Sequence, residues 1–326
     1  MFFTTSGKVV DVVSDLEKHT IDFRVVQARK FWPRTHALCN NTAKEIFMHS
    51  TVFSRIVFAS VCFASASFSL LSVSSVAQEP LSNAGRQLVW EDNFDGDALD
   101  YSKWGIEVNA FGGGNGELQI FTDRKENVRV GGGNLILEAH RDNANIMGTK
   151  REYSSGRVRT KHRGDWKYGR IEVRAKLPAG AGLWPAIWML PTGDKYGGWA
   201  KSGEIDIMEF RGQNTNEVLG TLHYGDAWPK NTSSGKEYKL PEGNFTDAFH
   251  TFAIEWQAGK MQWFVDDKLV QTQTKWSTTG GAFPAPFDQK FHLLLNLSVG
   301  GGFVGPVGAN TKFPAQYLID YVRVYQ

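Results

Sequence analysis

The 326 residues, 41% hydrophobic and 21% charged with 11 Trp and 34 Gly, suit one large all-β domain or two smaller ones, and the Trp and Gly content favours β-structure with aromatic surfaces. Charge nearly balances at 36 basic against 34 acidic side chains; with 8 and 5 of these before position 78, residues 78–326 hold 28 against 29. That balance gives no electrostatic footprint for nucleic acid or an anionic membrane and suits a neutral partner.

The N-terminal part differs in kind from the rest. Arg55 precedes an apolar Ser/Ala-rich run from Ile56 to Leu71, and Ser75-Val76-Ala77 before Gln78 has the small residues of a cleavage site. Residues 48–77, starting at Met48, read as a secretory signal peptide, and residues 1–47 as a mis-started or disordered upstream extension. An uncleaved membrane anchor competes with this reading, although the run is near the lower length limit for a span and is diluted by serine. A lipoprotein through Cys62 is weaker, because Val61 stands where a small residue is expected. Both cysteines, Cys39 and Cys62, precede the cut, so residues 78–326 would carry no thiol for a disulfide or a metal site. A domain of that size buries enough core to do without a staple. The expectation is a secreted monomer, extracellular or periplasmic.

From Leu88 onward short strands alternate with turns. Leu135-Ile136-Leu137 follows the run Gly131-Gly132-Gly133. Ile171, Val173 and Ala175 alternate with Arg170, Glu172, Arg174 and Lys176, the period of a half-buried strand. Trp184 and Trp188, an even number of residues apart, share a strand face; each is as good a core residue as a sugar platform.

Next comes Gly203-Glu204-Ile205-Asp206-Ile207-Met208-Glu209-Phe210. Its β-branched content predicts a strand, with Glu204 and Asp206 on one face and Ile205 and Ile207 on the other. Strict alternation sends Glu209 to the apolar side. Either Glu209 is a stray charge near a strand end, or a β-bulge at Ile207-Met208 returns it to the carboxylate face. With the bulge, side chains leaning together bring Glu204 and Glu209 to about 5–5.5 Å, the spacing of a retaining glycosidase pair. Three acids on one face repel one another, a cost that tends to sit at functional sites.

His223 beside Tyr224 falls on a later strand and reads equally as a structural or a site histidine. Phe252 to Trp256, Met261 to Val265 and Leu269-Val270, joined by Ala258-Gly259 and Asp266-Asp267, predict a three-stranded meander. Phe291 to Leu297 is a further apolar strand, and Tyr317 to Tyr325 closes the chain in clean alternation. No helical period, repeat or linker stands out after residue 78. The expected fold is all-β, a two-sheet β-sandwich of jelly-roll, concanavalin-like type.

With these residues in place, Leu88 to Tyr325 resembles the laminarinase-type β-1,3-glucanases of glycoside hydrolase family 16. The resemblance rests on Val89-Trp90-Glu91-Asp92-Asn93-Phe94, Glu117-Leu118-Gln119-Ile120-Phe121-Thr122, Gly182-Leu183-Trp184-Pro185-Ala186-Ile187-Trp188-Met189-Leu190, the carboxylate octapeptide, Gly220-Thr221-Leu222-His223-Tyr224-Gly225 and Ile319-Asp320-Tyr321-Val322-Arg323-Val324-Tyr325. It implies a jelly roll with a cleft on the concave sheet. It further implies Glu204 as nucleophile, Glu209 as general acid/base and Asp206 as assisting carboxylate. Met208 is similar to the extra residue of the bulged form, which lichenases lack. The resemblance also implies cleft-lining roles for Trp184, Trp188, His223, Asn109, Arg157 and Asn296. No cofactor is needed for catalysis. A structural calcium would sit at Asn93, Gly133 and Asp320, although Asn93 stands where laminarinases usually have Glu. The implied partner is a β-glucan poly- or oligosaccharide. Rival readings are a glucan-binding module without catalysis, a hydrolase of agar- or carrageenan-type galactans, and a transglycosylase.

Overall fold

The structure, a computed structural model, describes residues 85–146 and 148–326. The expected signal peptide and upstream extension lie outside the described residues. Two antiparallel sheets of eight strands each form a sandwich. In the first, here the site sheet, the order from edge to edge is Asn231–Lys239, Glu217–Gly225, Glu204–Phe210, Leu183–Pro191, Phe291–Val299, Arg157–Arg159 and Gly105–Ile106, with Asp165–Trp166 also paired to Phe291–Val299. The second, the outer sheet, runs Lys268–Gln273, Lys260–Val265, His250–Gln257, Gly169–Lys176, Ala315–Tyr325, Asn134–Ala139 and Val128–Gly131, with Leu88–Asp92 added beside Ala315–Tyr325. Among the described residues the sole helical turn is Gly112–Gly114. The expected jelly-roll sandwich is the observed fold.

One continuous core joins the sheets. Ile187, Met189, Ile205, Met208, Leu293 and Leu295 come from the site sheet, and Ile171, Val173, Ile254, Trp256 and Trp263 from the outer sheet. Apart from Ile205 and Met208, which are three residues apart, these residues sit at alternate positions of their strands, so hydrophobic burial and strand pleat agree on the register. The meander over His250–Gln257, Lys260–Val265 and Lys268–Gln273 forms as expected.

Gly169–Lys176 turns Ile171, Val173 and Ala175 inward. Arg170, on its other face, is nevertheless fully buried, held by Glu172, Glu255 and Asp267 and stacked 5.2 Å from the Phe264 ring centroid. The last strand departs from expectation. Arg174 pairs with Tyr321 but Ala175 with Ile319, so Asp320 is an extra residue there and the clean alternation of Tyr317 to Tyr325 slips at that point.

Candidate active site

The carboxylate strand Glu204–Phe210 contains the bulge, the second of the two readings its spacing leaves open. Against Glu217–Gly225, Glu204 pairs with His223, Asp206 with Thr221 and Glu209 with Leu219. Those partners are evenly two residues apart while the acids are not, so all three acids return to one face. On the other side Asp206 pairs with Trp188 and Met208 with Ile187, which leaves Ile207 without a partner in that register. Ile207 and Met208 are both buried in the main core. Burying them is what turns the third acid outward. Gly203, at φ +87 with no room for a Cβ against Phe287, ends the turn that delivers Glu204 to the strand.

Hydrogen-bond donors are gathered on the Glu204 side. The Trp199 indole N–H donates to Glu204 Oε2 at 2.8 Å. His223 Nε2 stands 3.9 Å from Glu204 Oε1 and 3.3 Å from Asp206 Oδ2. Asp206 is 3% exposed, and its Oδ2 has no hydrogen-bond partner among the described residues. Burial and the Asp206 charge push the Glu204 carboxyl up to about 8, against the pull of His223, the Trp199 N–H and Arg157. Burial raises Asp206 as well. Glu209 is held well above the ordinary carboxylate value by burial and then by the Asp206 and Glu204 charges, and His223 offsets this only in part. Three acids crowded on one strand face, the middle one buried, share protons rather than ionise together. Glu204, Asp206 and His223 also bring possible ligand atoms within 4.8 Å of one another.

Both tryptophans left open by the sequence lie outside the main core. Trp184, Ala186 and Val304, with Trp188 and Phe303 packed on them, form a separate apolar cluster on the carboxylate face. Trp184 meets the Phe303 ring at 4.8 Å. The Trp188 indole N–H donates to Asn296 Oδ1 at 2.6 Å, and the Arg157 guanidinium lies 5.1 Å from the Trp188 ring centroid. Arg157 is also 4.5 Å from the Phe121 ring and 3.4 Å from Glu107. Asn109 joins this patch through a backbone bridge to Phe121. Beside Glu204, a cavity of about 250 Å³ opens between Trp199, Leu190, Leu294, His292, Arg159 and Glu107. The arrangement is an aromatic floor with polar groups converging on three coupled acids, which suits a ring with an apolar face and hydroxyl edges.

A family model of glycosyl hydrolases family 16 matches residues 115–323. The chain belongs to that family. It is 44% identical over 260 residues to glucan endo-1,3-beta-glucosidase A1 of Niallia circulans, across 74% of this chain and 38% of that protein. The chain therefore spans well under half the length of that relative. Against the beta-glucanase of Rhodothermus marinus identity is also 44%, over 257 residues, covering 74% of this chain and 85% of that protein. The crystal structure of the laminarinase from Rhodothermus marinus superposes with a TM-score of 0.67 at 43% identity, covering 74% of this chain and 97% of that one.

Within this family-16 scaffold the sequence reading missed several site residues. Trp199 follows Gly197-Gly198 in the loop before the carboxylate strand, and its N–H reaches Glu204. Glu117 is buried under the cleft floor, where it accepts from Ser298 at 2.9 Å and Gln119 at 2.7 Å, and Ser298 in turn accepts from Asn296. A glutamate between Gly116 and Leu118 gives no such signal. Leu88–Asp92 runs beside Val322 to Tyr325, and Asn134–Ala139 beside Ala315 to Ile319, so the strand ends next to Asn93 and Gly133 flank Asp320 along one edge. Asp320 is paired there with Arg174, and Asn93 accepts from Arg323 at 3.1 Å. Both partners of the first pair are part-exposed, and such pairs are weak. The oxygen donor set fits a hard cation that takes Asp320 from Arg174.

Proposed function

We propose that this protein is a secreted, monomeric endo-β-1,3-glucanase that cleaves laminarin-like glucans with retention at the anomeric carbon. The observation that carries this reading is the bulged strand, which sets three carboxylates in one row beside an aromatic floor. Relatives named for endo-1,3-beta-glucosidase activity support the substrate class. The small-residue cleavage pattern ending at Ala77 supports secretion.

Charge assigns the roles. Glu209, facing two other acids, keeps its proton and donates it to the leaving glycosidic oxygen. Glu204, which accepts from the Trp199 N–H and has His223 nearby, is the better stabilised of the two glutamates as an anion; its oxygen bonds to the anomeric carbon as the C–O bond to the leaving sugar breaks. Asp206 sits between them and tunes how the remaining proton is shared. Glu209, now ionised, takes a proton from water as that water attacks the anomeric carbon, and Glu204 leaves. Two inversions give net retention. Trp184 and Trp188 carry sugar rings, with Asn296, Arg157, Asn109 and His223 on their hydroxyls. The cavity beside Glu204 takes one such ring. No cofactor enters these steps; a calcium at Asn93, Gly133 and Asp320 would tie two strand ends together.

A product profile on laminarin, lichenan and agarose tests the proposal, with Glu204→Ala as control. Oligosaccharides released from laminarin, and none by the folded variant, are expected. Release from agarose alone would make the protein a galactan hydrolase. Binding without release would leave a glucan-binding module.

A further inference from the structure

The geometry points to a brace across the sandwich: Trp263 of the outer sheet fixes the position of the catalytic bulge, and Gly220 is glycine so that the indole can reach it. The inference rests on Glu209 being the general acid/base. Trp263 lies in Lys260–Val265, is 2% exposed, and donates its indole N–H to the Asp206 backbone carbonyl at 2.9 Å. That carbonyl is where pairing to Glu217–Gly225 loses register, with Ile207 and Met208 both opposite Gly220. A Cβ on Gly220 would lie 2.6 Å from Trp263 Cδ1 and 2.7 Å from Nε1. Gly220 is not in the left-handed backbone region, so the position demands space rather than conformational freedom.

Position matters because one extra residue decides the face of everything beyond it. A bulge displaced toward Glu204 turns Asp206 into the core, and one displaced past Glu209 buries Glu209. Repulsion among the three carboxylates favours any rearrangement that separates them. The ladder cannot resist this alone, since a bulge is where its bonds are interrupted. A hydrogen bond to the carbonyl of Asp206, delivered from a rigid strand of the opposite sheet, holds the extra residue at Ile207-Met208. Trp263 touches no substrate in this arrangement. It is a positioning residue, acting through the backbone of Asp206.

The test is steady-state kinetics on laminarin as a function of pH for Trp263→Phe, which keeps a buried aromatic ring and removes the donor. A fall in kcat of about 10–100-fold is expected, the cost of misplaced groups, with KM within about twofold. The alkaline limb of the kcat profile should move down by about half a pH unit or more, because Glu209 loses part of the Asp206 charge that holds its proton. Gly220→Ala should reproduce both changes, and adding it to Trp263→Phe should alter neither further, since both act on one contact. A lower melting temperature with kcat and the alkaline limb unchanged would make Trp263 a packing residue and overturn the inference. Should Trp263→Phe not fold, an unmoved limb in Gly220→Ala overturns it equally. Glu209→Ala, assayed in parallel, separates the two levels. If its loss is the same on natural and activated substrates, the acid/base assignment fails. If that assignment holds and the limb stays still, only the brace fails.

Discussion

At the scale of residues, the chemistry depends on an asymmetry between two glutamates on one strand. Both are raised by burial and by neighbouring charge, but Glu204 receives an indole N–H at 2.8 Å whereas Glu209 faces both other acids. Negative charge therefore settles on Glu204 and the proton on Glu209. Glu209→Ala should lower kcat on laminarin by about 10²–10⁴-fold, the usual contribution of a general acid. An aryl glycoside with a good leaving group should lose much less in the first step, because its oxygen needs little protonation. Parallel kcat measurements on the two substrates check this; equal losses would remove Glu209 from the role. Trp199→Phe, which deletes the donor on Glu204 and keeps the ring, should shift the acid limb of activity upward, since Glu204 then holds its proton to higher pH. A pH profile of kcat/KM reads that limb directly.

At the scale of elements, one strand of each sheet shows how far patterning carries. The octapeptide announced its bulge because strict alternation would have buried a carboxylate, and burying Ile207 and Met208 instead removes that conflict. Tyr317 to Tyr325 announced nothing: Asp320 interrupts a strand that otherwise alternates well, and its reason lies in pairing with Gly169–Lys176, invisible in either segment alone. Trp199, Glu117 and Trp263 were illegible for the same cause. Their partners are 5, 181 and 57 residues away, through a loop or across a sheet. Arg170 extends the lesson. The alternation reads it as an outward charge, whereas three carboxylates converge on it and its own side chain has no exposure. Arg170→Ala should destabilise the protein by about 3–5 kcal/mol, the penalty for stranding buried partners. Urea unfolding measures it. Activity per folded molecule should be unchanged, because Arg170 is on the outer sheet.

At the scale of the molecule, the carboxylate cluster should leave a mark on stability as well as on rate. Its acids bind protons more tightly folded than unfolded, where carboxyls titrate near pH 4. Over the interval between those values the native state holds more protons than the unfolded chain, so stability falls as pH rises. Other groups act elsewhere. Burial is outweighed at Glu138, Asp142 and Glu217 by hydrogen bonds from Arg129, Arg124 and Lys239, and the stability these acids contribute is complete above about pH 5. His292, pushed down to about 3 by burial and by Lys161 and Arg159, adds a slope of opposite sign, but only up to the unfolded histidine value near 6.5. The interval from about pH 6.5 to 8 therefore belongs to Glu204, Asp206 and Glu209. The melting temperature should decline across it, by about 2–4 °C for each kcal/mol lost in a domain of this size. Asp206→Asn removes the middle charge, lowers the proton affinity of both glutamates and should flatten that decline. Calorimetry of the two proteins at pH 6.5 and 8 decides the matter. Equal slopes would mean that the three acids do not share their protons, and the division of labour between Glu204 and Glu209 would lose its electrostatic basis.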